Sequence, residues 1–406
     1  MYIKRILEER ILELSNDYPV VCVVGARQVG KSTMINHILP PNFHACSLDS
    51  KLDISLCKQD PKGYIMSKGL PLFIDEAQNV PELFSEIKAI VDNKKILGEN
   101  VNGLFWLSGS NKSEIKKHIK ESLAGRIAIV EMSSLSKEEI EGNNNGVFNP
   151  FYENIESRVL SNINQVSLFE YIFKGGYPKF FENEKIDRDV YYSSYIDTYI
   201  ERDVRQLISE NSLPQFTMLI TYLSARIAEI INFEDAARTI GVNEKTVKNW
   251  VQILKETGII FFLQPYSNNI SRRLVKSPKI YFLDSGLAAF LARWLNPEQL
   301  RIGAASGHFL ENYVVSEIVK SHYNNLKRLD LLFYYRDFDQ KETDIIFADN
   351  TRIIPVEIKK GMSPNIPSIY HLEKFKLDIP NKYILYGDKE TFSLTSGWVY
   401  LPLAKI

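Results

Sequence analysis

Two glycines, a lysine and a hydroxyl stand at fixed intervals near the start of the chain, in Gly25-Ala26-Arg27-Gln28-Val29-Gly30-Lys31-Ser32-Thr33. The run is GxxxxGK[ST], and Val20, Val21, Val23 and Val24 before it suit a buried parallel strand. The glycines let the backbone curl until its N–H groups face phosphate oxygens, and a helix continuing from Thr33 adds the positive end of its dipole. Lys31 is suited to the β- and γ-phosphates and Ser32 to Mg²⁺. The pattern predicts a nucleoside triphosphate site spanning Gly25 to Thr33. Further on, Leu70-Pro71-Leu72-Phe73-Ile74 leads into Asp75-Glu76. Asp75 would bind the Mg²⁺ ion, directly or through water, and Glu76 would polarise the attacking water. A kinase or a passive nucleotide switch has no need of the second carboxylate, so hydrolysis is expected. An exposed Asp-Glu turn is the alternative, and the apolar residues leading into it fit that poorly.

The last hundred or so residues hold a second set. Gly307-His308-Phe309-Leu310-Glu311 opens an amphipathic helix, with Phe309, Leu310, Val314 and Ile318 apolar, Glu311 near the start and Glu317 further along. Three strands are expected after it: Leu331–Tyr335, Thr343–Phe347 and Ile353–Ile358. Asp344 belongs to the middle one, and Glu357 and Lys359, two apart at the end of the third, project to one face. Asp344 and Glu357 are the main expected ligands of a Mg²⁺ or Mn²⁺ ion. Glu311 completes the shell, or Glu317 if the helix is rotated. Lys359 would stabilise negative charge where a water attacks a phosphodiester. The alternative is a fold kept for structure, whose surface charges happen to alternate.

These residues need scaffolding, and the pattern supplies it. Residues 1–132 read as an initial helix followed by alternating strands and helices, hence a parallel sheet covered on both faces. Residues 133–214 are mainly helical, broken by the polar run Glu141-Gly142-Asn143-Asn144-Asn145-Gly146, and would form a lid over the nucleotide. In 215–298, Phe233 to Ile240 suggests a short helix, Gly241-Val242-Asn243 a turn, and Glu244 to Thr257 a second helix with Val247, Trp250, Val251 and Leu254 on one stripe. A strand from Gly258, a hairpin at Asn268-Asn269 and an arm with Arg272, Arg273, Lys276 and Lys279 complete a winged helix-turn-helix layout. Phe233 to Phe282 holds eight Lys/Arg against four Asp/Glu, which predicts DNA phosphate contacts by the wing and by the Lys245/Lys248 face. Protein docking is the competing use of such a module. Residues 299–406 carry the second constellation.

Composition narrows the classes. The chain has 406 residues, enough for several domains, and its hydrophobic fraction of 45% supports full burial. Its net charge of −1 leaves any nucleic-acid affinity to local patches. Cys22, Cys46 and Cys57 form no CxxC pair, which points to a reducing, cytoplasmic setting and away from a zinc site. The N-terminal stretch MYIKRILEERILEL is charged and amphipathic, unlike a signal peptide, and no apolar run approaches a membrane span.

Taken in order, GARQVGKST, LFIDEAQ, WLSGS, LAGR, GGYP, YIERDV, GHFLEN and VEIKK resemble the bacterial and archaeal AAA+-like P-loop ATPases that carry a C-terminal domain of unknown function. The resemblance covers nearly the whole chain. It implies an α/β fold: an ATPase core with a helical lid, a winged helix, and a restriction-endonuclease-like C-terminal domain of the PD-(D/E)xK type. It implies ATP as the nucleotide, held by Gly25, Gly30, Lys31, Ser32, Asp75 and Glu76. It maps the nuclease-like pattern onto Glu311, Asp344, Glu357 and Lys359. Glu342-Thr343-Asp344 departs from the pattern, where an apolar residue commonly precedes the Asp. In AAA+ proteins a small polar residue ending the strand Gly103–Leu107 orients the lytic water, which makes Ser108 a sensor or else a plain strand-ending serine. Arg126, at a helix–strand junction, resembles the arginine finger offered to a neighbour's γ-phosphate and so implies a homo-oligomer. A surface ion pair is its other reading.

Overall fold

The structure, a computed structural model, describes residues 2–161, 164–183, 185–205, 207–267 and 277–406. The hairpin expected at Asn268-Asn269 and the basic residues Arg272, Arg273 and Lys276 therefore lie outside the described residues. The backbone groups into two compact units. One comprises Met1–Leu135, Glu256–Gly258 and Tyr323–Leu326; the other comprises Ser136–Lys255, Ile259–His322 and Lys327–Ile406. The segments expected as lid, winged helix and C-terminal domain thus fall almost entirely into one body.

The first unit is built on a parallel sheet of β1 (Val20–Val24), β2 (His44–Ser47), β3 (Leu72–Asp75), β4 (Phe105–Gly109) and β5 (Ile127–Glu131), in the order β2-β3-β4-β1-β5. Every residue of β1 and β4 is buried, as parallel strands packed on both faces require. Val20, Cys22, Val24, Leu72, Ile74, Phe105 and Leu107 from the strands join Leu83, Ile87 and Val91 of the helix Glu82–Ile96 in one core. The strand expected at 103–107 runs from Phe105 to Gly109, which places Ser108 inside the strand. The register aligns Val24 with Gly109 and Ser47 with Asp75, so the C-terminal ends of β1, β3 and β4 come out on one edge of the sheet.

The second unit contains the helix Phe233–Ile240 and all but the last residue of the helix Glu244–Glu256, with Gly241 between them at φ 80°. Asn232 and Asn243 accept hydrogen bonds from the backbone N–H groups of Asp235 and Thr246 at 3.0 and 2.8 Å, so each helix has a side-chain cap. The stripe of Val247, Trp250, Val251 and Leu254 is buried as its spacing predicts. Eight strands follow: β6 (Ile260–Pro265), β7 (Lys279–Phe282), β8 (Leu332–Arg336), β9 (Glu342–Ala348), β10 (Ile353–Ile358), β11 (Lys382–Tyr386), β12 (Phe392–Ser393) and β13 (Trp398–Pro402). They make one sheet in the order β12-β13-β11-β10-β9-β8-β6-β7. The β6–β7 pair does not stand alone as a wing: β6 runs parallel to β8, with Gln264 opposite Phe333 and the N–H of Tyr266 donating to the carbonyl of Tyr334 at 2.7 Å.

Candidate functional site

In the first unit the loop after β1 turns on its glycines. A Cβ at Gly25 would collide with the carbonyl of Met132, and Gly30 sits at φ 96°, in the left-handed region open to glycine. Gln28, also left-handed at φ 60°, is exposed at the bend, while Ala26 and Val29 are buried beneath it and Arg27 is partly covered. The helix Lys31–Ile38 starts directly from Gly30. Lys31 Nζ donates to the carbonyls of Gly25 and Ala26 at 3.0 and 2.9 Å, so the lysine folds back over its own loop. Thr33 is exposed in the first helical turn.

Ser32, Asp75 and Ser108 meet at the sheet edge. Ser32 Oγ donates to the Asp75 carboxylate at 2.9 Å, and Ser108, fully buried on β4, donates to Oδ1 of the same carboxylate. Glu76 follows at φ 54°, a left-handed conformation that costs a non-glycine residue strain. Gln78 and Ser110 both donate to Glu76 Oε2. The oxygen donors of Ser32 and Asp75 are hard ligands at hydrogen-bond distance from each other, which suits Mg²⁺.

Sequence reasoning did not find the brace behind this loop. Arg5 is buried and donates to the carbonyls of Val29 and Ser133 at 2.9 and 2.8 Å, tying the phosphate loop to the chain that leaves β5. Only the amphipathic opening helix hinted that the segment packs at all.

Arg126 donates to both carboxylate oxygens of Asp92, at 2.7 and 3.1 Å. It precedes Ile127, which pairs with Val20, so it stands at the opposite end of the sheet from Gly25, Asp75 and Ser108. In this chain its partner is Asp92 and not its own phosphate loop.

The second unit gathers the other set. Asp344 and Glu357 lie on the adjacent antiparallel strands β9 and β10, and Asp344 Oδ2 accepts from the Ile358 N–H at 2.8 Å. Lys359 Nζ donates to Glu357 Oε2 at 2.8 Å, so the two do share a face. Oxygens of Glu311, Glu342 and Asp344 all lie within 4.8 Å of one another. Glu342, not among the expected ligands, is therefore a member of the cluster, whereas Glu357, expected as a main ligand, lies outside this group of three. Glu317 is not: it is buried with Lys320 at 2.8 Å and accepts from the Lys137 N–H at 2.7 Å.

Lys279 corrects the reading of the basic arm. Instead of facing solvent, its side chain is 3% exposed, with Nζ 2.7 Å from Glu311 and in contact with Glu342. The physical reason is the β6–β8 pairing, which carries β7 into the sheet. Tyr281, two residues on, donates to the same Glu311 oxygen at 2.6 Å. Burial pushes the Glu311 carboxyl up to about 7, against the pull of Lys279. Burial, aided by Asp344, likewise raises Glu357 to about 7. Burial also works against the Lys279 charge, but Glu311, Glu342 and Asp344 outweigh it and hold the ammonium above its ordinary range. With all four carboxylates ionised, Lys279, Lys359 and Arg336, whose Nε lies 3.6 Å from Glu342, leave the network with one negative charge in excess.

Comparison with known proteins agrees with the first site. Residues 17–141 match the AAA domain family, residues 165–298 a domain of unknown function (DUF8612), and residues 306–406 a domain of unknown function (DUF4143). The N-terminal region is similar to the AAA domain family, which supports ATP binding there. The chain is 25% identical over 390 residues to uncharacterized protein Rv2008c of Mycobacterium tuberculosis, covering 96% of this chain and 81% of the relative. It is 26% identical over 277 residues to uncharacterized protein MJ1637 of Methanocaldococcus jannaschii, covering 67% and 55%. Among solved structures, a Walker-type ATPase of Pyrococcus abyssi aligns with 71% of this chain and 96% of its own, at 17% identity and a TM-score of 0.45. No described helix is long and apolar enough to cross a membrane.

Proposed function

We propose that the chain hydrolyses ATP with Mg²⁺ at the loop Gly25–Thr33 and couples that cycle to work on or with DNA. The observation that carries this is the convergence of Ser32, Asp75 and Ser108 at one sheet edge, with Glu76 next in the chain and aimed by its own hydrogen bonds. The loop N–H groups and Lys31 would take the phosphates, Ser32 and Asp75 would hold the cation, and Ser108 would keep the Asp75 carboxylate in place. When bound, Mg²⁺ neutralises charge on the β- and γ-phosphate oxygens. Glu76 accepts the proton of the attacking water. ATP turnover in wild type beside Glu76→Gln tests the hydrolytic half, and salt-dependent affinity for duplex DNA tests the other.

In the second unit, Asp344, Glu357, Glu311 and the newly placed Glu342 would hold Mg²⁺ or Mn²⁺, with Lys359 beside Glu357 to stabilise charge in phosphodiester cleavage. The approach of Glu311, Glu342 and Asp344 oxygens to within 4.8 Å of one another supports the reading. Cleavage of duplex, single-stranded and branched DNA with each metal, with and without ATP, tests it.

One observation favours a second reading, a nucleotide-governed switch whose helix-turn-helix docks protein. Lys279 is spent inside the fold, and Lys248 is paired with Glu244 at 2.6 Å, which thins the phosphate-binding surface. Absence of a salt-dependent affinity for duplex DNA would select this alternative.

A further inference from the structure

We infer that Gln78 is a positioning residue for Glu76, one whose amide is kept in an otherwise unfavourable place to hold the water-activating carboxylate in a single orientation. The inference rests on the hydrolytic reading above and adds to it. Gln78 is 8% exposed, on the short turn Ala77–Asn79 that follows Glu76. Its Nε2 lies 2.5 Å from Glu76 Oε2 and 3.3 Å from Ser110 Oγ, and Ser110 Oγ donates to the same Glu76 oxygen at 3.3 Å. An ionised carboxylate only accepts, so the nitrogen must face it and the amide's orientation is fixed by chemistry.

That orientation buries Gln78 Oε1 without a hydrogen-bond partner. A buried acceptor with no donor is destabilising, and a leucine or methionine of similar volume would avoid the cost. Two further features keep the amide there. Asn79, the next residue, donates its side-chain N–H to the Leu48 carbonyl at 2.8 Å and ties the turn to the end of β2. Gly109 opposite has no side chain, and a Cβ there would collide with Gln78 Oε1 and with Ile115 Cδ1. A position that sacrifices stability to orient a polar group beside a strained glutamate is one where orientation matters more than packing.

The test measures kcat, KM, ATP affinity and thermal stability for wild type, Gln78→Leu, Gln78→Glu and Glu76→Gln. In Gln78→Leu kcat should fall by about tenfold or more, with ATP affinity within about threefold of wild type and melting temperature equal or higher. A purely structural glutamine would instead lose stability with kcat intact. In Gln78→Glu the introduced carboxyl can donate only when protonated, so its turnover relative to wild type should recover as pH falls. Should Gln78→Leu fail to fold, Gly109→Ala, which displaces the amide, should show the same loss of kcat. Wild-type turnover in Gln78→Leu or in Gly109→Ala overturns the inference while leaving the hydrolase reading intact, provided Glu76→Gln is inactive. Full turnover in Glu76→Gln, or none in wild type, sinks the hydrolase reading and this inference with it.

Discussion

The Lys279 ammonium lies 2.7 Å from the Glu311 carboxylate, inside the group of oxygens that Glu342 and Asp344 complete. An internal cation therefore competes for the position a divalent ion would take. Lys279→Met keeps an unbranched side chain one atom shorter and removes its charge, so Mn²⁺ affinity measured by calorimetry should rise by at least about tenfold, given the strength of a unit charge at this separation. Equal affinity in both proteins would show that metal and lysine do not share the cluster.

Stability should depend on pH through the same network. Glu311 and Glu357 are raised to about 7 by burial, above the value of 4.5 they regain when unfolded. Between these values the folded state binds more protons than the unfolded state, so their contribution is full below 4.5 and is lost as pH rises through 7. The melting temperature of wild type should drop between pH 5 and pH 8 by more than that of Glu311→Gln/Glu357→Gln. Parallel curves for the two proteins would refute the assignment.

At the first site, binding and turnover should separate. Lys31→Ala should lose nucleotide affinity, whereas Glu76→Gln should bind ATP and lose about 100-fold or more in kcat, because only the proton acceptor has gone. Isothermal binding alongside a phosphate-release assay distinguishes the two losses.

Arg126 tests whether the site is shared between subunits. Its place at the far end of the sheet from Asp75 means that any action on a γ-phosphate must be on another copy, after release from Asp92. Mixing Arg126→Ala with Lys31→Ala should then restore part of the turnover, and specific activity should rise with protein concentration. Concentration-independent turnover without rescue would leave Arg126 as the partner of Asp92 alone.

If the helix-turn-helix contacts duplex DNA, reversing charge at Arg272 and Arg273 should weaken binding on all sequences and flatten its salt dependence. Lys245→Glu, on the exposed face of the helix Glu244–Glu256, should act in the same direction. Unchanged affinity in the double reversal would move the contact elsewhere.

Much of the first site was legible because its information is local. GxxxxGK[ST] fixes a loop whose function depends on consecutive N–H groups, and an apolar run ending in Asp75-Glu76 fixes a strand end. Helices Phe233–Ile240 and Glu244–Glu256 were equally readable, from turn chemistry at Gly241 and a continuous apolar stripe. What escaped depends on pairings between distant strands. Lys279 has the sequence surroundings of a solvent-facing arm, and only the β6–β8 pairing explains its burial. Glu342 could not be singled out from sequence, because its partners Lys279 and Arg336 come from other strands. Gln78 ends the run LFIDEAQ, yet its work is done by an amide orientation that no spacing encodes.

The eight-stranded sheet has one more consequence. A fragment beginning near residue 299 would carry β8 to β13 but not β6, and β8 would present an open row of N–H and C=O groups where Gln264 and Pro265 now pair. Such an edge invites association with other chains, so the fragment should be prone to aggregate and the complementary piece should lose its support. The same dependence bears on inheritance. A helix-turn-helix module exchanged between relatives would have to arrive with a strand whose register suits the recipient's β8, so the two segments are bound to diverge together.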